Sequence, residues 1–219
     1  MHSMQAVLFD FDGTLWDPET SIFRVYSEVF EEFGHSLGRD AWASVVGSIE
    51  SELWSRLEHS TGVPVNLVKN RIQQRKAESL ASLKSRPGVR RLLDDVDAMG
   101  IPRGIVSNSA SDWVERYSRQ CGVADGWSTV QCANGDLQRA KPNPHLYSEA
   151  VERLGVDPRA VIAFEDSRTG LQAAKRARIR CVVVPNAMTA NLDLSEADLR
   201  LESFEEVSPG RLLQPFESV

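Results

Sequence analysis

No stretch of the 219-residue chain approaches the ~18 consecutive apolar residues of a membrane-spanning helix. A membrane partner is therefore not expected. Cysteine is scarce: Cys121, Cys132 and Cys181 are an odd number, without CxxC or Cys/His spacing. That argues against a disulfide framework or a zinc knuckle, and for free, mostly buried thiols in a reducing cytoplasm. A basic excess is missing too. Lys and Arg total 25 against 31 Asp and Glu, a formal net charge of −6. Phosphate-backbone binding needs a basic face, so nucleic acid is not expected as a main partner. A small anionic substrate is not excluded, because one metal ion and a few local cations reverse the field at a site. Internal repeats and low-complexity segments are absent. Met1 to Gln5 is short and polar, and the apolar run after it meets Asp10 too soon for a secretory leader.

What is there begins at Val7. Val7, Leu8 and Phe9 form an apolar run too short for a helix and suited to a buried strand. It runs into Asp10 and Asp12, with Gly13 next, where the backbone turns without a Cβ to crowd it. Both carboxylates then sit at the carboxyl end of a strand, where open α/β sheets place ligands. Two carboxylates this close repel unless a cation joins them. A divalent metal acting on a charged substrate is the simplest account.

The next segment has a different character. Pro18 suits a helix start, and Ile22, Val25, Tyr26, Val29, Phe30 and Phe33 recur at helical spacing until Gly34. Residues Arg39 to Val46, Ser48 to His59 and Val65 to Leu83 read as further helices. From Pro87 the rhythm alternates. Helices are predicted over Gly88–Met99, Ser111–Gln120, Asn143–Leu154 and Thr169–Ala177, and strands over Pro102–Val106, Ser128–Cys132, Ala160–Phe164 and Cys181–Val184. Ala197–Leu201 reads as a final edge strand and Phe204–Leu213 as a short closing helix. Such alternation means a parallel sheet covered on both faces. The expectation is a Rossmann-like α/β core, residues 1–17 and 86–219, interrupted after its first strand by a helical block, residues 18–85.

The later core strands end in polar residues. Ile105-Val106 runs into Ser107-Asn108-Ser109, and Val161 to Phe164 into Glu165-Asp166-Ser167. Lys141 stands before Pro142 and Pro144, ahead of a helix. In a parallel sheet Asp10, Asp12, Ser107, Asn108, Lys141, Glu165 and Asp166 would converge at one edge. Each has a plainer reading alone. Asp12-Gly13 reads equally as a turn, Ser107 as a cap, Lys141 as a solvated lysine, and Glu165-Asp166 as a helix start. What those readings leave unexplained is the chain order: Asp-x-Asp-Gly-Thr, Ser after a strand, Lys-Pro, then Glu-Asp after a strand.

That order resembles the motifs of the haloacid dehalogenase superfamily along nearly the whole chain. Phe164 to Gly170 and Lys141-Pro142-Asn143-Pro144 resemble its subgroup of phosphoglycolate phosphatases and β-phosphoglucomutases, which carries a helical cap between the first two motifs. The resemblance implies a Mg²⁺-dependent phosphatase acting on a small phosphorylated metabolite. It implies that Asp10 attacks phosphorus, giving an aspartyl-phosphate. Asp12 would be the acid–base, offering its backbone carbonyl to the metal. Asp10 and Asp166 would supply metal carboxylates, with Glu165 a ligand or a partner of one. Thr14, Ser107 with the Asn108 amide, and Lys141 would hold the phosphoryl group, and Thr14 would also help position Asp12.

The cap, on the same resemblance, would close over the site and choose the substrate. Gly47-Ser48-Ile49-Glu50 is the candidate loop. The cations Lys69, Arg71, Arg75, Lys76, Lys84 and Arg86 either attract an acidic substrate or form a solvated helix face. Trp42, Trp54 and Trp113 fit helix packing, whereas Trp16 either borders the pocket or fills core. A sugar phosphomutase would share every core residue, but β-phosphoglucomutases usually carry a histidine where Ile22 stands. A phosphonate-cleaving relative needs a cap lysine, and none lies between Asp17 and Lys69. Dehalogenases lack the second aspartate, and Asp12 is present. A non-catalytic module on the fold would have lost one of these acids. The default assembly is a monomer.

Overall fold

A computed structural model of the chain describes residues 4–39, 42, 58–59 and 62–208. The chain divides into two compact units, Met1–Asp17 with Lys84–Val219, and Pro18–Leu83.

The first unit is built on a six-stranded parallel sheet of spatial order β3-β2-β1-β4-β5-β6. The strands are β1 Ala6–Phe9, β2 Arg103–Ser107, β3 Trp127–Cys132, β4 Val161–Glu165, β5 Arg180–Val183 and β6 Leu199–Arg200. Every residue of β1, β2 and β4 is buried. Central parallel strands are covered on both faces, which is why they read as continuous apolar runs. The covering helices of this unit are α3 Val89–Ala98, α4 Ser111–Cys121, α5 His145–Leu154 and α6 Arg168–Arg176. Leu8 and Val106 pack with Leu146, Tyr147 and Ala150 of α5 and with Leu171 and Ala174 of α6 in one core. On the other face the Phe9 and Phe164 rings stack with centroids 5.2 Å apart.

Register aligns the site. Phe9 pairs with Ile105 on one side and Phe164 on the other. One residue further, Asp10, Val106 and Glu165 lie side by side at the carboxyl edge. Strand order reverses between β1 and β4, so this edge is also the topological switch point where doubly wound sheets open a crevice.

The second unit pairs α1 Pro18–Glu32 with α2 Val65–Ser82. Val25, Tyr26, Val29 and Phe30 of α1 are buried, as are Val68 and Ile72 of α2. The Ser21 and Ser79 hydroxyls meet at 2.6 Å. Arg71 reaches Glu32 at 3.5 Å, and Arg75 pairs with Glu28 and Glu32, so these cations serve an ion-paired helix face. Trp42 packs on Phe23 and Tyr26. The helices predicted over residues 39–46 and 48–59, the loop 47–50 and Trp54 fall largely or wholly outside the described residues.

Two expectations need correction. The closing helix is one 3₁₀ turn, Phe204–Glu206, boxed by Ser203 and Glu206. Val207 is extended and Ser208 precedes Pro209, a position that disfavours helix; residues 209–213 lie outside the described residues. Arg86 is no helix-face cation, because it belongs to the first unit and donates to the carbonyls of Gly13, Val184 and Pro185 at 2.6–2.8 Å. Cys121, Cys132 and Cys181 are free and buried. Among the described residues no helix is long and apolar enough to cross a membrane.

Candidate active site

Asp10 leaves β1 with its backbone N–H still donating to the Phe164 carbonyl at 3.0 Å. Its side chain is therefore held at the seam between β1 and β4. Lys141 enters that seam from the β3–α5 connection. Its Nζ donates to Asp10 Oδ1 at 2.6 Å and to Glu165 Oε1 at 2.7 Å, all within the interior. Burial alone would lower the lysine's pKa, but the Asp10 and Glu165 carboxylates outweigh it and raise it. Lys141 is thus a fixed cation. Asn108 ties it down: the Asn108 side-chain amide accepts from the Lys141 backbone N–H at 2.7 Å and donates to its carbonyl at 3.2 Å. Tyr147 on α5 donates its hydroxyl to Glu165 Oε1 at 2.6 Å.

Asp166 follows β4. Asn186 and Thr189 donate to its Oδ2 at 2.8 and 3.3 Å, and Thr14 donates to its Oδ1 at the long distance of 3.5 Å. Thr14 therefore contacts Asp166 rather than Asp12. Two glycines make room. A Cβ on Gly13, whose φ is +93°, would lie 2.4 Å from Asp166 Oδ2. A Cβ on Gly170 would lie 1.8 Å from Glu165 Oε2.

Oxygens of Asp10, Glu165 and Asp166 all lie within 4.8 Å of one another. Asp10 Oδ2 and Glu165 Oε2 are buried without a hydrogen-bond partner. Burial, then Asp10 and Glu165, push Asp166 well above the usual carboxylate range. Such unsatisfied, mutually repelling oxygens fit a hard divalent cation, which takes oxygen ligands and relieves the repulsion. Bound there, the ion would draw charge from phosphoryl oxygens.

Asp12 lies apart from that cluster. Ser109 Oγ donates to its Oδ2 at 2.5 Å and the Trp113 indole N–H to its Oδ1 at 2.8 Å. Burial raises its pKa and these two hydrogen bonds partly counter the rise. Ser107, buried at the end of β2, accepts the Ser109 backbone N–H at 3.0 Å. Trp16 is fully buried and stacks on Tyr117 at 4.3 Å, so it is core.

This arrangement carries a family signature. A family model described as haloacid dehalogenase-like hydrolase matches residues 7–184. The chain belongs to the haloacid dehalogenase-like hydrolases. Relatives agree over full length. YhcW of Bacillus subtilis (strain 168) is 37% identical, with 98% of this chain and 99% of that protein covered. The phosphorylated carbohydrates phosphatase of Thermotoga maritima is 29% identical, covering 99% and 100%. Among solved structures, CbbY from Rhodobacter sphaeroides in complex with xylulose-(1,5)bisphosphate superposes with a TM-score of 0.69 at 26% identity, covering 97% and 100%.

The structure of this hydrolase adds residues that sequence reading passed over. Ser109 lies inside the Ser-Asn-Ser run with no signal of its own. Trp113, which by sequence fits helix packing, donates to Asp12 instead. Tyr147, Asn186 and Thr189 carry no local signal, since they act across long sequence separations.

Proposed function

We propose that this hydrolase removes phosphate from a small sugar or polyol phosphate, using Mg²⁺ and an aspartyl-phosphate on Asp10. The observation that carries the reading is the Lys141 bridge between Asp10 and Glu165, with Asp166 beside it at the switch point of the sheet. A nucleophilic carboxylate needs a neighbour that neutralises the incoming phosphoryl charge without sharing its proton. A fixed ammonium and a divalent ion are such neighbours. In this reading Asp10 and Asp166 hold the metal and Glu165 orients Lys141. Asp12, outside the cluster, gives a proton to the leaving oxygen and takes one from water in the second step. The substrate class follows the relatives, whose names include a phosphorylated carbohydrates phosphatase and a hexitol phosphatase B. Residues 18–85 are assigned the choice among such substrates.

The test is phosphate release over a panel of sugar phosphates, polyol phosphates, phosphoglycolate and nucleotides. Wild type is expected to turn over one class with Mg²⁺ and none with chelator. Asp10→Asn is expected to lose turnover by at least ~10³-fold, as removal of a covalent nucleophile does. Full activity of Asp10→Asn rejects the covalent mechanism. Isomerised product with little net phosphate would mark a mutase, which Ile22 argues against.

A further inference from the structure

We propose that Trp113 and Ser109 are positioning residues that hold Asp12 for proton transfer. The proposal rests on the reading of Asp12 as the general acid. The two donors come from different places and meet on one carboxylate. Ser109 lies two residues past β2 and reaches Oδ2 at 2.5 Å, while Trp113 on the first turn of α4 reaches Oδ1 at 2.8 Å. With both oxygens tied, rotation of the carboxylate about its last bond is blocked.

An indole N–H and a hydroxyl both donate, and each carboxyl oxygen has a second lone pair, so the clamp holds whether or not Asp12 carries a proton. In the step itself an Asp10 oxygen forms a bond to phosphorus as the bond to the ester oxygen breaks. The electron pair of that bond stays on the leaving oxygen, which takes the proton from Asp12, while Ser109 and Trp113 go on donating to the carboxylate left behind.

The indole is itself fixed. Its ring lies 4.4 Å from Tyr117 and 5.9 Å from Trp16, and Trp16 stacks on Tyr117 at 4.3 Å. Trp16 belongs to the same loop as Asp12, and its carbonyl accepts the Gly13 N–H at 2.7 Å. The loop therefore braces the residue that braces its own carboxylate.

A packing role and a positioning role separate by leaving group. A poor leaving group such as a sugar hydroxyl needs the proton, and p-nitrophenolate does not. The ratio kcat/KM reports steps up to departure of that group, so later hydrolysis of the aspartyl-phosphate does not mask it. Wild type, Trp113→Phe, Ser109→Ala and Asp12→Asn are assayed with Mg²⁺ on glucose 6-phosphate and p-nitrophenyl phosphate. Single turnover with enzyme in excess makes slow reactions readable. Asp12→Asn is expected to lose ~10²-fold or more on the sugar ester, the scale of general acid catalysis, and much less on the aryl ester. Trp113→Phe and Ser109→Ala are expected to lose about tenfold on the sugar ester, with the loss at least about fivefold smaller on the aryl ester. Ser109→Ala disturbs no ring, so it decides the matter if Trp113→Phe folds poorly. Equal losses on both esters in the two clamp variants, beside a selective loss in Asp12→Asn, overturn the proposal alone. Equal losses in Asp12→Asn itself overturn the acid role on which the proposal rests.

Discussion

A buried lysine is tolerable only where carboxylates repay its desolvation, and Lys141 has two. Removing it strands Asp10 and Glu165 in the interior. Lys141→Met is expected to lower kcat by ~10²–10³-fold, the scale of losing one pre-aimed electrostatic contact. It should also cost ~3–5 kcal/mol of stability, as breaking a buried pair does. Turnover and urea unfolding measure the two, and turnover within about tenfold of wild type would place Lys141 outside the phosphoryl site. This residue stood out in sequence because Lys-Pro follows two strand-end polar clusters in order. Arg86 did not. It lies close after Lys84 at the end of a helical block, so it read as one more surface cation. Its task, binding the carbonyls of Gly13, Val184 and Pro185, exists only once segments about 70 and 100 residues away are folded against it.

Helix α6 shows what local chemistry can and cannot announce. Ser167 caps it by accepting the Gly170 N–H at 3.2 Å. Ser167→Ala is expected to cost ~1 kcal/mol by the loss of that cap. Gly170→Ala should cost more, ~3 kcal/mol, because its methyl would enter the Glu165 carboxylate, which is walled in by Lys141 and Tyr147. Thermal melts of both variants check the order. The periodicity that marked α6 says nothing of that carboxylate. A second test joins α3 to β2. Arg103 donates two hydrogen bonds to Asp97, at 2.6 and 2.8 Å, and its guanidinium lies over Trp127. The Arg103 hydrogen bonds and charge hold the Asp97 carboxyl below its ordinary 3.8. The stabilisation is therefore complete above that value and is lost as pH falls through the lower folded-state pKa. Asp97 is half-exposed, so Asp97→Asn should cost no more than ~1 kcal/mol at pH 7. The deficit against wild type should disappear in the most acidic melts. A deficit unchanged down to pH 2–3 would assign it to packing.

At the scale of the molecule, strand–helix alternation announced a parallel sheet, but not that β1 lies between β2 and β4. Spatial order depends on how crossovers pack, and no single segment encodes it. Yet that order sets Asp10 between the ends of β2 and β4 and gathers Asp10, Glu165 and Asp166. The cluster has a consequence for stability. Burial and mutual repulsion raise Asp166 well above its ordinary pKa, so ionising it opposes folding of the metal-free protein. A divalent ion held by the folded cluster and not by the unfolded chain would stabilise by RT ln(1 + [M]/Kd), about 2.7 kcal/mol at a hundredfold excess over Kd. In a chain of this size each kcal/mol moves Tm by ~2–4 °C, so Mg²⁺ should raise the melting point of the unit that holds the sheet by ~5–10 °C. Asp166→Asn replaces the repelling charge with an amide. Its melting point in chelator should equal or exceed that of wild type, while its Mg²⁺-dependent rise should vanish. A full rise in Asp166→Asn would put the metal elsewhere than among Asp10, Glu165 and Asp166. A lower melting point in chelator would mean that the Asn186 and Thr189 hydrogen bonds outweigh the repulsion.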